Sequence, residues 1–213
     1  MPRPKSKPDA DVLAAAGRVL LHLGPGRATL ADVAAEAGLS PATLVQRFGS
    51  KRALLVAFAA RETERTAKPF TGARAESASP LEALRLAIQR ASRDLSPRHR
   101  LASSMALLLE DLRDHELRAA AALHARRTEE AIRALLDEAV NEGELAAASA
   151  AETVRLARLL HAAWNGALIQ WALRGQGTLA RALDEILDGV LAPHRPKPRR
   201  PKPRRPTSRR SRA

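Results

Sequence analysis

Residues 29–55 read TLADVAAEAGLSPATLVQRFGSKRALL, and their spacing points to a helix, a sharp turn, a second helix and the start of a third. Thr29 is placed to cap the first of these helices, and Val33, Ala34 and Ala37 share its inward face. Ala34 falls where two steeply crossed helices leave room only for a small side chain. Gly38 stands where the chain must reverse, a place that favours positive φ and hence glycine. Leu39 fills the corner. Ser40 and Pro41 restart the chain as N-cap and first helical residue. Leu44 and Phe48, four apart, bury the second helix. Its outward residues are Ala42, Thr43, Val45, Gln46 and Arg47, a short face suited to the DNA major groove. The competing reading is an ordinary helical hairpin.

The segments on either side weigh against the hairpin. Residues 12–24, VLAAAGRVLLHLG, look like a preceding helix closed by Gly24, and residues 49–55, GSKRALL, look like the opening of a fourth. Together, residues 10–60 resemble the tetracycline-repressor (TetR) family of bacterial transcription regulators. A weaker similarity covers residues 164–171 and 190–193. The resemblance implies an all-α fold: a three-helix N-terminal helix-turn-helix module followed by a helical ligand-binding and dimerisation domain. It also implies a homodimer paired through the last two helices and a palindromic double-stranded DNA operator. A repressor released by a small-molecule effector is the family default.

Composition fits that fold. Hydrophobic residues make up 45% of the 213, enough for a sizeable core, and Tyr and Cys are absent. No disulfide, thiolate metal site or thiol nucleophile is therefore available. No run of eighteen uncharged apolar residues spans a membrane, and no apolar signal core follows the basic start. A cytoplasmic, nucleoid-associated protein is expected. No Gly-rich phosphate loop, Ser/His/Asp signature or metal-ligand spacing occurs, so neither an enzyme nor a cofactor is expected.

The net charge of +13 is unevenly spread. Residues 1–65 carry +4, residues 66–193 carry −1, and residues 194–213 hold ten Arg and Lys with no acid. Nucleic acid is thus expected at the two ends only. The organisation read from the sequence is a disordered basic arm over 1–9, the DNA-binding module over 10–68, the regulatory and dimerisation domain over 69–193 and a disordered basic tail over 194–213. Within the third region, the Gly, Ser, Thr and Pro of 69–80 read as a linker. Helices are expected over 81–95, 100–112, 115–141, 150–174 and 179–191. The last two carry apolar residues on more than one face, a surplus that asks for a second surface.

Gln46 and Arg47 are the first candidates to read bases, since Gln pairs with adenine and Arg with guanine. A phosphate contact is the alternative for Arg47. Ala42 and Thr43 face a thymine methyl or a phosphate. Thr29, Ser40 and Pro41 mark helix starts, where free N–H groups suit phosphate oxygens. Lys51 matches the family lysine that contacts the DNA backbone. Val45 stands where the family commonly has tyrosine, exchanging a phosphate contact for an apolar one. For the effector, expected to be small and apolar or aromatic, the candidates are Met105, Leu108, Leu112, His124, His161, Trp164 and Asn165. Ordinary packing competes at each. The alternative function is a non-specific nucleoid or RNA-binding protein driven by the basic tail.

Overall fold

A computed structural model describes residues 7–146 and 149–196. Most of the expected arm and nearly all of the expected tail therefore lie outside the described residues. Among those described there is no strand. The helices are α1 (Asp9–Leu23), α2 (Leu30–Ala37), α3 (Pro41–Phe48), α4 (Lys51–Arg65), α5 (Lys68–Glu76), α6 (Pro80–Ser92), α7 (Arg98–Arg113), α8 (His115–Asn141), α9 (Ala150–Arg174) and α10 (Leu179–Leu191). None is long and apolar enough to cross a membrane.

Two separate apolar clusters hold these helices. The first gathers Val12, Ala15, Ala16 and Leu20 of α1, Val33, Ala34 and Ala37 of α2, Leu44 of α3 and Leu54 of α4. Ala34 is fully buried. The second cluster joins α5 to α10 around Leu84, Leu101, Ile132, Leu136, Leu160 and Leu187. Helix α4 belongs to both neighbourhoods: Leu54 and Phe58 pack on the first cluster, while Thr63 bonds across to α8.

Residues 69–80 depart from the expected linker. Most of that segment is α5, not a linker. Phe70 and Ala73 are buried in the second cluster, and Arg74 reaches Glu138 at 2.6 Å and Glu142 at 3.0 Å on α8. Tertiary burial thus overrides the local preference of Pro69, Thr71 and Gly72. Helix α4 ends at Arg65, three residues before the expected end of the DNA-binding module at 68. The hydroxyls of Thr63 and Thr66 donate back to the carbonyls of Ala59 and Glu62 near that break, a bond that competes with regular helix. Helices α8, α9 and α10 begin and end where expected.

Candidate nucleic-acid interface

Three short elements position the candidate DNA face, and a hydroxyl side chain opens each. At the start of α2, Asp32 N donates to Thr29 Oγ1 at 3.2 Å, and Thr29 N donates to Asp32 Oδ2 at 2.8 Å. This reciprocal box fixes the first turn. The Thr29 hydroxyl also donates to Asp32 at 2.6 Å, and these bonds hold the Asp32 carboxyl below the ordinary range. Thr29 is exposed, but its hydroxyl is committed inside the box. What remains for a phosphate there is the free N–H groups of the helix start.

Gly38 closes α2 in the left-handed region, at φ 67° and ψ 36°. Leu39 N then donates to Ala34 O at 2.8 Å and Gly38 N to Ala35 O at 3.1 Å, turning the chain into α3. Ser40 accepts from Thr43 N at 3.1 Å, and its hydroxyl lies 2.8 Å from that of Thr43. Pro41 occupies the first turn. Leu44 is fully buried and pins α3 to the module. Ser50 then caps α4 by accepting from Ala53 N at 3.1 Å.

With Leu44 inward, Pro41, Ala42, Val45 and Gln46 are exposed and Thr43 is half-buried. Lys51 is half-buried at the first position of α4, with no ion-pair partner among the described residues. Pro41, Ala42, Thr43, Val45 and Gln46 thus surround the buried Leu44 on α3, and Lys51 follows three residues after the end of that helix.

Arg47 departs from the free base reader expected. Its Nη1 donates to Lys7 O at 2.6 Å and meets Asp9 Oδ1 at 3.4 Å, leaving the side chain 22% exposed. Lys7 Nζ in turn donates to Ala37 O at 2.7 Å. Arg47 therefore ties the start of the chain across the ends of α2 and α3. Lys7 and Asp9 lie about forty positions away in sequence, so local spacing carries no sign of the tie.

Arg52, absent from the sequence candidates, links this face to the rest of the molecule. Its Nε donates to Asp114 Oδ2 at 2.5 Å, and its Nη2 reaches Asp114 Oδ1 at 3.0 Å and Glu116 at 3.3 Å. Asp114 also caps α8 by accepting from Glu116 N and Leu117 N. The Arg52 guanidinium, with these amides, lowers the Asp114 carboxyl to about 2. The first turn of α4, beside Lys51, is thereby joined to the first turn of the longest helix.

The seven effector candidates are dispersed over three helices. Trp164 is buried and its Nε1 donates to Ser92 Oγ at 2.8 Å. His161 lies 3.6 Å from Glu129 and beside the Trp164 ring. His124 Nδ1 is 2.7 Å from Thr66 Oγ1; surrounding protein lowers its pKa, and the charge of His161 adds to the shift. Met105 packs against the second cluster, whereas Leu108, Leu112 and Asn165 are exposed. Two clefts occur elsewhere. One of about 750 Å³ lies between α1, α2 and the start of α7, lined by Arg18, His22, Glu36, Asp94 and Arg100 among others. Another of about 420 Å³ lies between α6 and α10. None of the seven lines either cleft.

Residues 12–58 match the family described as bacterial regulatory proteins, tetR family. Curated protein sequences give no match. Solved structures give many. SmeT of Stenotrophomonas maltophilia, the repressor of the multidrug efflux pump SmeDEF, is 23% identical, with 90% of this chain and 92% of that chain covered and a TM-score of 0.64. The transcriptional regulator FadR of Bacillus subtilis, solved with stearoyl-CoA, is 17% identical over 87% of this chain and 98% of its own, with a TM-score of 0.66. A TetR transcription regulator from Haloarcula marismortui is 16% identical over 88% and 97%, with a TM-score of 0.69. Residues 12–58 thus match the model of the tetR family of bacterial regulatory proteins, and the helices of the chain are arranged as in these solved regulators.

Proposed function

We propose that this protein is a sequence-specific transcriptional repressor that binds a palindromic operator as a homodimer and leaves it when a small apolar or aromatic effector binds. The observation that carries the reading is the α3 surface. A short helix anchored by Leu44 and capped by Ser40 presents Ala42, Val45 and Gln46 outward, with Lys51 alongside. Gln46 is the base reader, Val45 and Ala42 meet thymine methyls, and Lys51 with the starts of α2 and α3 meets phosphates. Arg47 acts by placing the N-terminal arm.

Dimerisation rests on the outer face of α9. Leu159, Ala162, Gly166, Ile169 and Leu173 recur at helical spacing and are exposed in the single chain. Ile186 of α10 is exposed as well. Pairing α9 and α10 with their copies would cover this stripe as a four-helix bundle. A dimer also supplies the second recognition helix that useful specificity demands. Effector release then requires tighter binding of the effector to the state with poorer DNA geometry. The Arg52–Asp114 tie gives α8 a direct hold on the start of α4.

Selection and sequencing of genomic fragments bound by the full chain and by Gln46→Ala tests the reading. The expected result is a palindrome near promoters that the variant loses or relaxes at one position. Uniform recovery by both proteins overturns it in favour of non-specific binding.

A further inference from the structure

We propose that the cleft between α1, α2 and the start of α7 is a binding site for a small organic carboxylate of single charge, anchored by Arg100. The cleft holds about 750 Å³, within the range of about 300–1,000 Å³ usual for small-molecule sites. Helices α1 and α2 bring walls from the first apolar cluster. Helix α7, whose Leu101 is buried in the second cluster, and the short turn after α6 bring the others. Half-buried Leu21 and Leu23 of α1 and exposed Ala35 of α2 give the cleft an apolar lining. None of the seven effector candidates lines it. Carboxylate binding there is independent of whether α3 reads an operator.

The bonding of each charged group in the cleft decides what it takes. Arg18 Nε donates to Glu36 at 2.6 Å. Asp32 accepts from Thr29 in the box that opens α2. Asp94 stands 71% exposed, with Arg93 4.0 Å away. Arg100 differs from all of these. Its Nε is buried without a hydrogen-bond partner, and no ion pair reaches it among the described residues. A buried donor on a charged group is costly to leave unpaired, and a ligand that supplies an acceptor removes the penalty. The planar guanidinium fork matches a carboxylate. The acids set the ligand's charge. Asp32, Glu36 and Asp94 outnumber Arg18 and Arg100 in the cleft and repel a polyanion, so a single negative charge on an apolar or aromatic body fits best. A cation would meet Asp32 and Glu36 already bonded and Asp94 in solvent, and would leave Arg100 unpaired. A carboxylate seated on Arg100 touches both clusters and holds one against the other.

Sodium benzoate is the probe. It is titrated into the full chain at neutral pH and constant ionic strength, without DNA, and followed by nitrogen-15 NMR of the backbone amides and the arginine Nε–H groups. Saturable shifts are expected in the amides of α1, α2 and the start of α7, and in the Nε–H signal that disappears in Arg100→Met. That variant keeps the apolar stem and loses no bond, so it is expected to fold as the full chain does. A second variant, Ala35→Phe, fills the cleft from an exposed position on α2 and leaves Arg100 in place. Each substitution is expected to weaken benzoate binding at least about tenfold, as loss of a charge-assisted hydrogen bond or of the space for the ligand requires. Benzylamine and inorganic phosphate, titrated in the same way, are expected to bind more weakly than benzoate. No saturable shift, or equal affinity in all three proteins, overturns the proposal. So do shifts centred on Trp164 in α9 in place of the cleft. Tighter binding of benzylamine or of phosphate overturns it as well, the first in favour of a cation site governed by the acids and the second in favour of a polyanion site. Failure of the α3 reading shows separately, as genomic selection unaffected by Gln46→Ala.

Discussion

The first cluster, α1 to the start of α4, and the second, α5 to α10, treat their surfaces in opposite ways. Around the first, the one exposed large apolar residue among those described is Val45, on the candidate DNA face. Around the second, Leu108, Leu109 and Leu112 of α7, Leu123 of α8, Leu159, Ile169 and Leu173 of α9 and Ile186 of α10 all stand exposed. A small module with a closed apolar core and a polar exterior is ready for a charged partner as it stands. A helical domain with several uncovered apolar residues leaves a surface that, under the proposed function, a second copy or a small apolar ligand would bury.

The sharpest way to break that contrast is to make the α9 stripe polar. The pair Ile169→Glu and Leu173→Glu is expected to convert the dimer to a monomer in sedimentation. With half-sites bound separately, operator affinity is expected to fall at least about a hundredfold. A dimer that survives both substitutions would move the interface elsewhere. Next in size are the core deletions. Leu44→Ala and Leu136→Ala each remove a fully buried side chain, at about 2–5 kcal/mol apiece. Because the two side chains belong to different clusters, their costs are expected to add. Hydrogen exchange should place the loosened amides in α1–α3 for the first and in α5–α10 for the second. Loosening across both regions in either variant would show a single cooperative unit instead.

The two regions were not equally legible in the sequence, and the reason is the range of the forces involved. In the module, each boundary is set within three or four residues: Thr29 with Asp32, Gly38 with Ala34, Ser40 with Thr43, Ser50 with Ala53. Such signals can be read from spacing alone. Helix α5 is different. Its local composition favours a loop, and burial of Phe70 with the reach of Arg74 to α8, more than sixty positions away, decides the matter. Separation in sequence, 62 positions for Arg52–Asp114 and 40 for Arg47–Lys7, likewise hides those two ties from local spacing. The effector candidates share a chemical type, bulky or polar groups on apolar faces. Type does not say that Trp164 is anchored to Ser92 while Leu112 faces outward.

One substitution made in both regions sharpens the comparison further. At Gly38 a Cβ would meet nothing within 4 Å, but φ is 67°. Gly38→Ala is therefore expected to cost about 1–2 kcal/mol through the backbone alone. At Gly166 the space is equally open in the single chain, and the residue lies mid-helix in α9. Gly166→Ala is expected to stabilise the protomer by about 0.5–1 kcal/mol. If the α9 stripe packs closely against its copy, the same change weakens the dimer. Opposite signs in thermal unfolding and in dimer dissociation would confirm close packing at Gly166; equal signs would rule it out.

The smallest effect belongs to the junction of the two regions, where two carboxylates three positions apart are shifted in opposite directions. Asp114, held by Arg52, lies at about 2. Asp111, half-buried on α7 and repelled by Glu110, is pushed up to about 6, and no hydrogen bond or ion pair reaches it among the described residues. For Asp114 the folded value lies below the unfolded one near 3.8. Its stabilisation is present above about pH 4 and is lost as pH falls towards 2. For Asp111 the folded value lies above the unfolded one, so ionisation opposes folding. Its penalty grows as pH rises from about 4 to 6 and persists above. At neutral pH, Asp111→Asn is therefore expected to raise the melting temperature, and at pH 4 the gain should vanish. Solvent reaches part of the carboxylate and screens it, so the rise should be near the 2–4 °C that about 1 kcal/mol gives a chain of this length. Asp114→Asn should do the reverse, lowering the melting temperature at pH 7 and losing that effect only near pH 2. If Asp111→Asn brings no gain at pH 7, its carboxylate is better solvated than its position on α7 implies, and the junction carries only the Arg52 tie.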